Sequence, residues 1–199
     1  MHSKSYIQIN RDTIWSFTEL SSNTIELPLI ARSLSRLVRY TGHGDKVVTI
    51  AEHSINVAVL MPAPYQIYGL MHDAAEALIG DINHPFKSRF PAISEAEDQI
   101  LDHIYKQLGL WPVPEEAARQ VALFDRISLG LEAKEIFGAW TWDEWSSLQG
   151  VRDLLPKYQL AIKPEALSRR VLETVWLDHF KPYMAIHVQH HLGAIGGGK

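Results

Sequence analysis

Thr49-Ile50-Ala51-Glu52-His53-Ser54-Ile55-Asn56-Val57-Ala58-Val59-Leu60-Met61, halted by Pro62 and Pro64, is the stretch from which the fold can be read. Thr49 stands where an N-cap hydroxyl is wanted, and Glu52 follows three positions later, the layout of a capping box. The segment therefore predicts a helix over 49–61. It also carries a histidine, His53, whose setting becomes important below.

Upstream, Ile30, Leu34, Leu37 and Val38 fall on one helical face, and the pattern gives way at Thr41-Gly42-His43-Gly44. A helix is expected over 29–40. Before it, 6–9 and 24–27 have β character across a Ser/Asn turn. They are too short to found a sheet and read as an irregular N-terminal arm.

Downstream, a third helix is expected over 65–79, broken by Gly80-Asp81 and then Pro85. Ile100, Ile104 and Leu108 mark an amphipathic helix over 94–108 with Ser94 as its cap. A long helix over 114–137 opens on Glu115 and Glu116, favourably placed against its dipole. A last one runs over 164–180, from a proline start to Lys181-Pro182, and 193–199 reads as a mobile tail. No repeat and no linker divides the chain. The expectation is one all-α domain spanning 1–199, with its core over about 29–182.

Composition bounds what such a domain could do. Of 199 residues, 46% are hydrophobic and 21% charged, which allows a substantial core. The formal charge of −4 comes without a basic block, so no long nucleic acid is expected as a partner. Cysteine is absent, which excludes disulfides, thiolate metal sites and a cysteine nucleophile. No signal layout or membrane-length apolar run is seen, and a cytoplasmic location with no membrane partner is the default expectation.

The sharpest chemical feature is His72-Asp73, with His53 before it and Glu76 and Asp81 after it. Adjacent helical residues lie about 100° apart around the axis, so this imidazole and carboxylate can lean toward one point. His53 from the preceding helix and a carboxylate from a later one, such as Asp125, would complete a His/His/Asp/Asp set. Such mixed nitrogen and oxygen donors suit a divalent transition metal with positions left for water and a phosphate oxygen.

These segments resemble the HD-domain phosphohydrolases. The resemblance rests on Thr49-Ile50-Ala51-Glu52-His53-Ser54, on His72-Asp73-Ala74-Ala75-Glu76-Ala77-Leu78-Ile79-Gly80-Asp81-Ile82, and on Pro85-Phe86-Lys87. Leu34-Ser35-Arg36-Leu37-Val38-Arg39-Tyr40-Thr41-Gly42-His43 and Leu123-Phe124-Asp125-Arg126 with Glu132 agree with it. The branch it resembles holds bacterial 5′-deoxynucleotidases and phage HD hydrolases. The resemblance implies a helical HD bundle in which His53, His72, Asp73 and Asp125 hold a divalent ion (Co2+, Mn2+, Zn2+ or Mg2+). It implies that Glu76 and Asp81 act beside the metal on water and on the leaving oxygen. Arg39 and Lys87 match positions that grip substrate phosphates, and Tyr40 one that packs on the nucleoside; His43, which follows a glycine turn near the ligand helix, is a candidate for a further phosphate contact. It also implies a homo-oligomer, a dimer or larger.

Hydrolysis of a small (deoxy)nucleotide is therefore the expected activity. The Arg39-Tyr40 pair departs from the Arg-Trp arrangement of the monophosphatases, which favours a triphosphate with an adenine-type base, dATP-like, cut to nucleoside and triphosphate. A 5′-deoxynucleoside monophosphatase or a nucleotide-analogue phosphatase is the enzymatic alternative. A cyclic-nucleotide phosphodiesterase or alarmone hydrolase lacks its extra ligands or companion domains here. A non-catalytic, nucleotide-binding regulatory HD protein is the alternative of another class. His187, His190 and His191 read as surface residues, and Trp140, Trp142 and Trp145 as core or loop packing. His84 and His103 are given no role.

Overall fold

The computed structural model describes residues 5–138 and 145–196. Met1 to Lys4, Trp140, Trp142 and the end of the tail lie outside them, as does the side chain of His191. The described chain is an all-α bundle with a short N-terminal arm. The arm is a two-stranded antiparallel hairpin, β1 (Tyr6–Gln8) and β2 (Ile14–Ser16), with Ile7 opposite Trp15. Its turn is tied by Asn10 Oδ1, which accepts from the backbone of Asp12 and Thr13.

The second β segment expected at 24–27 is displaced to Ile14–Ser16. Asn23 ends the arm by pairing its side-chain amide with both backbone groups of Ser16, at 2.8 Å each. Helix α1 (Leu27–Leu34) then begins at once, with a proline in its first turn. It ends earlier than expected. Val38 turns extended (φ −105°, ψ 136°) and bridges Thr49, while Arg39 N–H donates to Val48 O at 2.8 Å. Residues 37–39 are thus drawn out of α-helix to pair with the chain entering α2.

Helix α2 (Ile50–Leu60) is capped as the sequence foretold. Thr49 Oγ1 accepts from Glu52 N–H, and the Glu52 carboxylate accepts from Thr49 N–H at 2.7 Å. Every residue from Ile50 to Ala58 is buried, making α2 the central helix, against which α3 (Gln66–Met71), α7 (Glu115–Phe137) and α8 (Arg169–Gly196) pack. Its buried polar groups therefore need partners. Asn56 exchanges two hydrogen bonds with the backbone of Ile162, and Ser54 Oγ accepts from Trp176 Nε1 at 3.2 Å.

The helix expected over 65–79 is broken. After α3 the chain tightens through 72–75 before α4 (Glu76–Ile79), with bonds spanning three residues, such as Ala74 N–H to Met71 O and Glu76 N–H to Asp73 O, both 3.0 Å. Tightened turns of this kind inside a helical run often mark a functional position. Gly80 (φ 83°) ends α4, and the single turn α5 (His84–Lys87) leads to α6 (Pro91–Leu108). Helix α6 starts on Pro91, so Ser94 lies inside the helix rather than capping it.

Helix α8 begins after the expected proline start and runs through Pro182 to Gly196, so the tail is helical as far as that residue. The buried stripe Leu172, Trp176, Phe180, Tyr183 and His187 continues at helical spacing on both sides of Pro182. This burial outweighs the backbone bond that proline removes. His187 is accordingly a core residue, edge-on to Tyr68 at 5.4 Å, rather than the surface residue expected, and His190 meets Tyr65 at 6.0 Å. A second cluster of Val57, Met61, Phe124, Ile127, Leu131, Leu148, Val151 and Leu155 packs the far end of α2 against α7, with Trp145 at its edge. Among the described residues no helix is long and apolar enough to cross a membrane.

Candidate metal centre

His53 reaches the centre from the first half of α2, and His72-Asp73 from the tightened turn after α3. Packing of these two helices brings the imidazole centroids to 5.2 Å. One ligand atom from each of His53, His72 and Asp73 can be chosen so that all lie within 4.8 Å of one another, a spacing that could hold a metal ion. Asp73 lies between the histidines. Its Oδ1 is 3.3 Å from His72 Nε2 and its Oδ2 is 3.7 Å from His53 Nε2.

The outer nitrogens of both rings are engaged. His72 Nδ1 sits 2.8 Å from Gly69 O, one turn back, and His53 Nδ1 sits 2.7 Å from Glu132 Oε1. A carbonyl oxygen only accepts, so Nδ1 of His72 carries the proton and its Nε2 presents a lone pair. Both Nε2 atoms are buried, and among the described residues that of His72 has no hydrogen-bond partner. The His72 Nε2 lone pair thus faces a carboxylate oxygen, an arrangement that is repulsive until a cation lies between them, and His53 would give up its Nε2 proton to ligate the same ion. The donor set fits a divalent ion.

Asp125, on α7, comes within 3.0 Å of His53 Nε2 but outside the mutually close trio, with its side chain 40% exposed. It stands at the open side of the centre. Partial burial opposes its charge, yet His53, followed by His72 and Arg39, holds the Asp125 carboxyl below its ordinary range. Burial and Arg39 oppose a charge on His53. Glu132 and Asp125 overcome both and push it up to about 10 in the metal-free protein.

Glu76 is buried at the start of α4, and its Oε2 has no hydrogen-bond partner. Burial, with repulsion from Asp73 and Asp81, pushes it up to about 9. In the metal-free protein it therefore keeps its proton at pH 7, beside the candidate metal donors. Asp81, past the Gly80 bend, is also shifted upward, chiefly by burial, then by Asp73 against the opposing pull of Arg39 and Lys87.

The expected phosphate-gripping residues are held less freely than the sequence suggested. Arg39 is largely buried; its Nε donates to Glu132 Oε2 at 3.1 Å, and one terminal nitrogen lies 3.6 Å from Asp73 Oδ2. Tyr40 turns its hydroxyl inward to donate to Glu132 Oε2 at 2.9 Å, with its ring edge-on to Phe137. Lys87 is pinned to α6 by Glu97 at 2.6 Å, and it also feels Glu76 and Asp73. His43 is exposed beyond the turn, where its N–H closes onto Tyr40 O, and its ring takes no part in the described contacts of the cluster.

Glu132, one element of the sequence match, was given no role there, yet it is the hub of the centre. Fully buried, it accepts from Ser128 Oγ, His53 Nδ1, Arg39 Nε and Tyr40 Oη. Burial would raise its carboxyl, but His53 and Arg39 hold it down to about 2. The spacing Asp125, Ser128, Glu132 places all three on one face of α7, a signal present in the sequence.

The chain is 29% identical to the uncharacterized protein YfdR of Escherichia coli (strain K12) over 147 residues, covering 74% of this chain and 80% of that protein. It is 30% identical to the uncharacterized protein RCAP_rcc00048 of Rhodobacter capsulatus over 125 residues, which is 57% of this chain and 64% of the relative. No family model matches the chain.

Proposed function

We propose that the protein is a metal-dependent phosphohydrolase acting on a small (deoxy)nucleotide, with a dATP-like triphosphate as the preferred class of substrate. The observation that carries this reading is the convergence of the buried His53 and His72 Nε2 atoms on the Asp73 carboxylate, with Asp125 beside them. His53, His72 and Asp73 would hold the ion, with Asp125 completing the set from the open side. A divalent ion bound there supplies Lewis acidity to a phosphoryl oxygen and to a water molecule.

The chain's own groups do the rest. Arg39, oriented by Glu132 and Asp73, directs its guanidinium toward the centre, where its remaining N–H donors suit phosphate oxygens. Glu76 holds a proton in a buried site, as protonation of a departing alkoxide requires. Asp81 stands beside it to orient water. In the reaction a water oxygen bonds to phosphorus as one of its protons passes to the Asp81 carboxylate, the phosphorus–oxygen bond to the leaving group breaks, and the Glu76 proton passes to that oxygen. Return of the Asp81 proton to Glu76 through solvent resets the pair.

The test is metal-stripped protein reloaded with Co2+, Mn2+, Zn2+ or Mg2+ and offered a panel of nucleoside mono- and triphosphates, with products identified by mass spectrometry. Release of triphosphate supports the preferred reading, and release of phosphate from a monophosphate corrects it to a nucleotidase. No turnover, together with nucleotide binding unaltered by a His72→Ala, Asp73→Ala double substitution, replaces it with a regulatory protein.

A further inference from the structure

Glu132 is a fully buried carboxylate with four donors converging on its two oxygens. Oε1 faces Ser128 Oγ and His53 Nδ1. Oε2 takes Arg39 Nε and Tyr40 Oη. The two oxygens thus serve different parts of the centre, one the metal side and the other the phosphate side. We propose that Glu132 is a positioning residue that locks the metal ligand His53 and the Arg39–Tyr40 pair into one unit, so that a single carboxylate sets both metal affinity and phosphate grip.

Two features of the backbone bear on this. Tyr40 (φ 57°) and Thr41 (φ 55°) are consecutive non-glycine residues in the left-handed region, which L side chains adopt only when their surroundings impose it. The Tyr40 hydroxyl bond to Glu132 is one of the contacts that tie this turn to α7, beside the packing of its ring on Phe137. On the metal side, the partner of a ligating imidazole's outer nitrogen fixes its tautomer and ring angle. A carboxylate at 2.7 Å from Nδ1 keeps the proton there and leaves Nε2 free to ligate. An amide in its place could donate to Nδ1 instead, moving the ring proton to Nε2, where it would occupy the metal position.

The inference rests on the metal-centre reading above, and the experiment separates the two. Wild-type protein and Glu132→Gln, both full-length, are titrated with Co2+ alone, with binding followed by its visible absorption and by competition with a chelator. The expected result is a wild type that binds and a Glu132→Gln variant whose Co2+ dissociation constant rises about ten- to a hundredfold. Absence of Co2+ binding by the wild type overturns both readings. Binding by the variant with wild-type affinity and an unchanged spectrum overturns the inference alone.

The phosphate side has its own readout. At Co2+ concentrations saturating for each protein, KM for the nucleotide found by the panel should remain raised in Glu132→Gln. A KM restored to the wild-type value limits Glu132 to the metal side and overturns the coupling. If no nucleotide is turned over, the cobalt titration still decides the metal half. If Glu132→Gln fails to fold, long-range proton–nitrogen NMR of zinc-loaded wild-type protein gives the answer. A His53 proton on Nδ1 supports the lock, and one on Nε2 overturns it.

Discussion

Gly69→Ala tests whether the centre depends on how closely α2 and α3 approach. Gly69 lies buried in α3, three residues before His72. A Cβ added there would meet Met61 Sδ at 2.5 Å, Ala58 Cα at 2.9 Å and Ala58 N at 3.1 Å. The methionine sulfur ends a flexible side chain and can move, but the Ala58 backbone can move only with α2. Restoring an ordinary contact to Ala58 Cα, from 2.9 Å to at least 3.4 Å, requires the helices to separate by about 0.5 Å. Overpacking of this kind costs about 1–3 kcal/mol, of which the better helix propensity of alanine returns up to about 1 kcal/mol. For a chain of this size a net loss of about 1–2 kcal/mol lowers the melting temperature by roughly 2–8 °C. The same displacement moves His53 relative to His72-Asp73 by more than the roughly 0.2 Å tolerance of metal–ligand distances, so Co2+ affinity should fall as well. Calorimetry of the metal-free protein and cobalt titration measure the two effects. An unchanged or raised melting temperature with unchanged Co2+ affinity would refute the claim that this contact spaces the ligands.

Glu76→Gln should lower kcat about 10²- to 10⁴-fold while leaving Co2+ binding in place, as expected for loss of a proton donor; steady-state kinetics on the identified substrate checks this. Its stability should also become less sensitive to pH. Burial holds the Glu76 carboxyl up to about 9 in the folded metal-free protein, so the stability tied to its proton is present below its unfolded value near 4.5 and is lost as pH rises through about 9. Wild-type melting temperature should therefore drop more between pH 5 and pH 9 than that of Glu76→Gln, and parallel profiles would contradict the shift. Arg39→Ala strips the cation from two acids, one of them fully buried, and should cost about 3 kcal/mol or more of stability in addition to raising KM; denaturant titration beside kinetics separates the two. Thr49→Ala removes the acceptor for Glu52 N–H and should cost about 1 kcal/mol, measured by thermal melting.

The candidate ligands were legible because each lies within a local pattern that survives folding. The Thr49 and Glu52 box fixes where α2 begins, so the position of His53 on that helix follows from sequence alone. His72-Asp73 was readable as a pair even though the helix thought to carry it is broken there, since adjacency brings the two side chains to one region whether the turn is tight or regular. The long α7 came out nearly at its true bounds, and Asp125 with it. What escaped was set by pairing between distant segments. Residues 37–40 carry a helical pattern, yet the backbone of 37–39 pairs with the chain leading into α2, and Arg39 and Tyr40 turn inward from there. Pro182 looked like an end because the burial that carries α8 past it comes from the other helices.

Glu132 shows most clearly where the boundary lies. On α7 the spacing from Asp125 and Ser128 is the one local sign that sets it apart from Glu135, which is exposed enough to pair with surface lysines, and that sign does not name its partners. Its role comes from three partners on two other segments, all more than seventy residues earlier in the chain. A buried acid of this kind is tolerated only when its charge is compensated, and here the compensating groups are His53, the proposed metal ligand, and Arg39, the proposed phosphate grip. The same desolvation that would make Glu132 costly when unpaired thus obliges His53, Arg39 and Tyr40 to stay together around it.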